Sequence, residues 1–208
     1  DPAAKSAGSQ ADLGSTALAA RPGFGRVAGN PEMADLETPR LQLRGFRDED
    51  FEDVHVYASD PEVTRLLSWG PNAPEDTREF LERVQRVALE VPRENHDWAL
   101  ERKSDGRVIG GCGLYNRSER QAEYEIGYCL ARSAWGQSFG KEMMTALLEY
   151  GFSSLSAQRI VALIFPRNER SIRLVEGAGF EFEAHVTGQP PTFTDNPPLL
   201  LYARMSSG

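Results

Sequence analysis

The sequence predicts an α/β (α+β) fold, a mixed and mostly antiparallel central sheet flanked by four helices. Three observations carry that reading. Seven short apolar or alternating segments, bounded by turn residues, have strand character. Four segments carry apolar residues at helical spacing instead. Their order, β-α-α-β-β-β-α-β-α-β-β, sets one helix between the fourth and fifth strands and another between the fifth and sixth. At 208 residues and 40% hydrophobic content, the chain suits one domain with a real core plus a tail.

Residues 1–34 are rich in Ala, Gly, Ser and Pro and lack sustained periodicity, so they read as a flexible N-terminal extension. Met33 makes a natural start for the folded unit, 35–208. Leu41, Leu43 and Gly45-Phe46 form the first strand. Asp48 is set to cap a helix with Phe51, Val54 and Ala58 on one face. Pro74 opens a second helix, whose buried stripe is Phe80, Leu81, Val84, Ala88 and Val91. Strands follow at 97–103, 107–114 and 121–130, the first two joined by a tight turn at Ser104-Asp105-Gly106. A third helix turns Phe139, Met143, Ala146, Leu147 and Tyr150 to one side. Residues 159–165 are an apolar strand, and 168–176 a short helix stopped by Gly177 and Gly179. Strands near 181–186 and 199–205 flank a proline-rich loop.

A formal net charge of −8 argues against a nucleic-acid partner and suits a cationic acceptor such as an amine. Cys112 and Cys129 each fall in a predicted strand and read as buried free thiols, which fits a cytoplasmic home. His55, His96 and His185 are scattered, so no metal site is expected. With no run of 18 apolar residues and no signal-peptide core, no membrane partner is expected either. A homodimer is left open.

The most informative stretch is Trp135-Gly136-Gln137-Ser138-Phe139-Gly140-Lys141-Glu142, set between an apolar strand and an amphipathic helix. A loop at a helix N-terminus offers unpaired N–H groups and the positive end of the helix dipole, so a pyrophosphate can rest there. Glycine lets the backbone approach the ligand closely. About thirty residues on come Asn168-Glu169-Arg170-Ser171 and Gly177-Ala178-Gly179-Phe180. Together these resemble the coenzyme A site of the GNAT acetyltransferase superfamily, whose pyrophosphate loop reads Gln/Arg-x-x-Gly-x-Gly/Ala. Ser138 stands where that loop usually has glycine, and Trp135 resembles one branch, the ribosomal-protein N-terminal (Rim-type) acetyltransferases and their small-molecule-modifying relatives.

The resemblance implies acetyl-CoA as co-substrate, and a GNAT fold in which the fourth and fifth strands splay apart. It implies that the pantetheine arm enters that gap, pairing with backbone of Cys129 and Leu130, and that residues 135–141 hold the pyrophosphate. Gly127 is expected to host a bulge that begins the splay. The segment Asp60–Trp69 resembles the branch's connection beside the acceptor cleft. Asn168 would hydrogen-bond the pantetheine, and Ser171 would approach the thioester sulfur. Many superfamily members carry a tyrosine acid one turn further on, where this chain has Leu174 and Val175. Ser171 or solvent must then return the proton.

Acetyl transfer needs a neutral amine. An α-amine with a pKa near 8 is partly neutral at pH 7, whereas a lysine near 10.4 costs roughly 4 kcal/mol to deprotonate there. A modest carboxylate base therefore suits an α-amine. Glu125, in Tyr124-Glu125-Ile126-Gly127-Tyr128, resembles the branch's Glu-x-Gly-Tyr motif and is the first choice. Glu123 shares its strand face and is the second. Trp69 and Tyr115 are set to line the acceptor site. The resulting expectation is direct transfer in a ternary complex to a protein N-terminal α-amine. The rivals are a small-molecule amine acceptor and a non-catalytic acyl-CoA-binding module.

Overall fold

The computed structural model describes residues 34–117, 122–187 and 198–206. The expected extension, 1–34, lies outside these except for Ala34, whose carbonyl accepts the Trp98 indole N–H at 3.1 Å. The elements run β1 (Leu36–Glu37), β2 (Leu41–Arg44), α1 (Phe51–Ala58), α2 (Pro61–Thr64), α3 (Pro74–Ala88), β3 (Asn95–Arg102), β4 (Arg107–Asn116), β5 (Glu123–Leu130), α4 (Phe139–Ser153), β6 (Arg159–Ile164), α5 (Glu169–Gly177), β7 (Glu181–Val186) and β8 (Leu199–Met205). The sheet order is β1-β2-β3-β4-β5-β6-β8-β7. Among the described residues, only β5 and β6 pair in parallel.

Four details differ from the sequence reading. The two-residue β1 pairs Leu36 with Leu43, so the splaying pair becomes β5 and β6. A one-turn helix, α2, adds to the four expected; Asp60 caps it by accepting the Glu62 N–H at 2.9 Å. Asp48 does not cap α1, because Asp48–Asp50 already form a 3-10 turn ahead of it. There the Asp50 carboxylate takes the Arg47 N–H at 2.8 Å. Finally, α3 ends at Ala88, so Val87 is buried and Val91 is 81% exposed.

Each face of the sheet has its own core. On one, Met143, Met144 and Leu147 of α4 pack with Trp98, Leu114 and Ile160 of the strands. Burying such a side chain is worth about 1.5–3 kcal/mol. On the other, Val54 and Tyr57 of α1 and Leu81 and Val84 of α3 cover Ala99, Val108 and Cys129. Arg44 pins α1 to the sheet: its guanidinium donates two 2.8 Å bonds to Asp50 and one of 2.6 Å to Glu101. Those partners hold its pKa above the ordinary arginine value against the cost of burial.

β5 and β6 stay in register only from Glu123↔Arg159 to Glu125↔Val161. Beyond that the strands part, and Ile126–Leu130 keep β4 alone as a neighbour. This is the splay that the resemblance implied. It opens on the α1–α3 face, beside the N-terminus of α5.

Candidate active site

The gap exposes backbone in a definite phase. Ala131 donates to Ile109 across β4 at 2.8 Å, so the two-residue ladder period turns Cys129 and Gly127 toward β4 as well. Leu130, Tyr128 and Ile126 then turn their amides to the gap. Consistently, the Leu130 carbonyl accepts the Trp135 indole N–H at 2.9 Å rather than a β4 donor. Of the expected pair, Leu130 thus faces the gap, and Tyr128 replaces Cys129. Gly127 hosts no bulge; its register with Gly113 is unbroken. Its lack of a side chain serves Tyr115 instead. A Cβ at Gly127 would stand 3.0 Å from the Tyr115 ring, and one at Gly113 would stand 2.4 Å from the Tyr115 hydroxyl.

The loop before α4 is shaped by two left-handed residues, Gly136 (φ 74°) and Ser138 (φ 66°). Ser138 adopts a conformation that favours glycine, which is the physical content of its departure from the family loop. Its carbonyl takes the Lys141 and Glu142 N–H groups at 3.1 and 3.3 Å. The N–H groups just before them have no helical acceptor, as at any helix start. Gly140 has a different role: a Cβ there would meet Leu174 at 3.1 Å and Leu130 at 3.6 Å. It lets α4 approach α5 and β5 and does not border open space, whereas a Cβ at Gly136 meets nothing.

The loop is braced from both sides. Arg170 lies 4.2 Å over the Trp135 ring. Arg40 lies 4.4 Å over Phe139, donates to the Gln137 carbonyl at 2.9 Å and pairs with Glu142. Thr38 also donates to Glu142 at 2.8 Å. Partial burial penalises the Glu142 carboxylate, but the Thr38 and Arg40 donors outweigh that and hold its pKa below the usual range. No sequence pattern pointed to Arg40, since it meets the loop 97 residues away.

At α5, Asn168 accepts the Ser171 N–H on its side-chain oxygen at 3.2 Å. The cap occupies Oδ1, which leaves the amide's donor side for another partner. The Tyr128 hydroxyl is buried with no partner in hydrogen-bond geometry. Burial pushes its pKa up to about 12, opposed by the neighbouring Ser171 hydroxyl. Sequence reasoning missed Tyr128, although it stands in the same Glu-x-Gly-Tyr motif as Glu125.

A cavity of about 770 Å³ runs from Ser171 and Tyr128 across the sheet to α3 and the loop after α2. Among its walls are Trp69, Tyr115, Glu125, Cys129, Asn168 and Ser171, all singled out from the sequence. Leu130, residues 135–141 and Glu123 lie outside it. The Trp69 loop is tied down by Asn72, which donates to the Ala58 carbonyl at 2.9 Å. Glu123 is buried between Arg117 (3.2 Å) and Arg159 (2.7 Å), an ion-pair anchor at the start of β5 and not an acceptor contact. Glu125 accepts from Arg117 at 2.8 Å. Burial nevertheless raises its pKa above the ordinary glutamate value. A second carboxylate, Asp97 of β3, also lines the cavity and accepts the Tyr115 hydroxyl at 2.8 Å. Its one sequence signal is a charge within the alternating strand, on the face shared with Ala99.

Comparison with known proteins fits this geometry. A model of the acetyltransferase (GNAT) domain matches residues 40–181. The chain belongs to the GNAT acetyltransferase family. It is 34% identical to the uncharacterized N-acetyltransferase p20 of Bacillus licheniformis over 152 residues, 73% of this chain and 84% of that one. Two solved structures share the fold. One is a ribosomal-protein-S5-alanine acetyltransferase from Vibrio fischeri (TM-score 0.70, 19% identity, 84% of this chain and 97% of that one). The other is the spermidine N-acetyltransferase from Vibrio cholerae in complex with CoA and spermine (TM-score 0.70, 18% identity, 82% and 98%). As a GNAT member the chain is an acetyl-CoA-dependent N-acetyltransferase; the two structures, one named for a protein and one for a polyamine, leave the acceptor open. Among the described residues, no group of His, Cys, Asp and Glu could hold a metal ion, and no helix is long and apolar enough to cross a membrane.

Proposed function

We propose that this GNAT enzyme acetylates a protein N-terminal α-amine by direct transfer in a ternary complex. The observation that carries this is the single cavity joining the strand gap, at Ser171 and Tyr128, to two carboxylates on the sheet, Glu125 and Asp97. Donor and acceptor sites share one space, so transfer needs no covalent enzyme intermediate.

In this reading the N–H groups of residues 136–141 hold the pyrophosphate at the α4 N-terminus. The gap-facing amides of Tyr128 and Leu130 pair with the pantetheine, and Asn168 donates to it. The β5 amides at the gap stabilise the tetrahedral oxyanion. Glu125 attracts the incoming ammonium. Ser171, with the Tyr128 hydroxyl beside it, returns a proton to the thiolate. A small-molecule amine is the second reading, favoured by Asp76, Glu79 and Glu82 of α3 along the cavity wall.

The test is free-thiol release from acetyl-CoA against peptides with Ser, Ala or Thr termini and a panel of small amines. The proposal expects the highest kcat/KM with a peptide. Preference for a small amine by tenfold or more selects the second reading.

A further inference from the structure

We propose that Asp97, gripped by Tyr115, is the seat of the acceptor's ammonium group and the base that takes its proton. This rests on the transferase reading and deepens it. Three geometric facts carry it. First, Asp97, Gly113 and Gly127 stand opposite one another on β3, β4 and β5, so one row crosses from the carboxylate to the gap. At about 4.8 Å per strand that row spans about 10 Å. Second, both intervening residues are glycines, and Tyr115 occupies the space their side chains would fill, with its hydroxyl on Asp97. The row is thus a paved floor leading to the thioester end of the cavity. Third, the other carboxylate on the sheet side of the cavity, Glu125, already holds the Arg117 guanidinium at 2.8 Å.

The charge environment agrees. Burial pushes the Asp97 pKa up to about 6, opposed by the Tyr115 hydroxyl bond and by Arg83 of α3. Cys112 of β4 stands near it with a thiol whose pKa burial raises well above the ordinary value, so it is neutral. Glu125 of β5 and Glu79, Glu82 and Arg86 of α3 share the cavity. A base of pKa 6 takes a proton from an α-ammonium of pKa near 8 with a penalty of about 10²-fold, against about 10⁴-fold for an alkylammonium near 10.4.

The proton ledger closes. The ammonium gives one proton to the Asp97 carboxylate through one bridging water. The freed lone pair forms the N–C bond at the acetyl carbonyl carbon, and the C–S bond breaks. The second N–H proton goes to the departing thiolate by way of Ser171 and Tyr128, giving amide and free thiol. Protonated Asp97 releases its proton to solvent.

The experiment measures kcat/KM from pH 5 to 9 with the best acceptor of the panel, for wild type, Asp97→Asn, Asp97→Glu, Tyr115→Phe and Glu125→Gln. Thermal melting checks each fold, and calorimetry measures acetyl-CoA binding. The expectation is a loss of about 100-fold or more in Asp97→Asn with acetyl-CoA affinity within twofold. The acid limb near pH 6 should vanish in Asp97→Asn, persist in Asp97→Glu and Glu125→Gln, and move to higher pH in Tyr115→Phe. Retention of rate and limb by Asp97→Asn, or loss of the limb in Glu125→Gln, overturns the proposal. If the wild type binds acetyl-CoA yet acetylates no amine, the transferase reading fails instead. The seat is then read from the Asp97 carboxyl carbon resonance. It should titrate near pH 6 and shift with n-butylammonium chloride; a resonance that does neither overturns the proposal.

Discussion

In the proposed reading, cofactor recognition is built from backbone: a contiguous loop, 135–141, with two left-handed residues and the start of α4. Acceptor recognition, in the same proposal, is built from side chains, Asp97, Tyr115 and Glu125, brought together from three strands. A pyrophosphate is the same in every reaction, so main-chain N–H groups serve it and the side chains there are free to vary. Ser138 and Trp135 are such variations. An acceptor differs from enzyme to enzyme, and side-chain chemistry has to select it. The two ends should therefore fail independently.

The largest separation is the Asp97→Asn loss of acceptor kcat/KM described above, with the cofactor end untouched. Next comes its mirror image, Gly136→Val. The added side chain meets nothing inside the protein, but it forces a β-branched residue into φ 74°, a strain of about 1–3 kcal/mol, and crowds the phosphate position. Acetyl-CoA affinity measured by calorimetry should fall by about tenfold or more, a loss of roughly 1.4 kcal/mol. Gly140→Val should act otherwise, pushing on Leu174 and lowering the melting temperature by about 2–6 °C.

A smaller effect links function to stability. The folded-state pKa of Asp97 lies above its ordinary 3.8, at about 6, so the native protein binds a proton more tightly than the unfolded chain does. The stability this confers is present below about pH 4 and is lost as pH rises through 6. Asp97→Asn should therefore melt a few degrees higher than wild type at pH 7.5, a gap that closes toward pH 4. A variant that melts lower at every pH would show that the carboxylate is structural. The smallest change is Ser138→Gly, which removes left-handed strain. It should stabilise by about 1 kcal/mol or less and leave acetyl-CoA affinity equal or better.

The same division decides what was legible in the sequence. The loop before α4, the Asn168 cap and most strand boundaries are local: each depends on residues within one turn or one strand. They could be read directly, and α5, β7 and β8 stand within a residue or two of their expected places. β1 escaped because two residues carry no period. The cap at Asp48 failed because Asp50 competes for the same turn. Cys129 was misassigned by ladder phase and the Gly127 bulge by register, both of which only the partner strand fixes. Alternation put Glu123 on the same face as Glu125 and made it the second choice. They differ because Arg159 of β6 reaches one of them. Asp97 and Arg40 depend on contacts 18 and 97 residues away, for which no spacing rule exists.

The most direct test of the two-ended account is one calorimetric series, titrating acetyl-CoA into wild type, Gly136→Val and Asp97→Asn under identical conditions. The account predicts a weakening of about tenfold or more in Gly136→Val alone, with Asp97→Asn indistinguishable from wild type. An unchanged affinity in Gly136→Val, or an equal loss in Asp97→Asn, would contradict it.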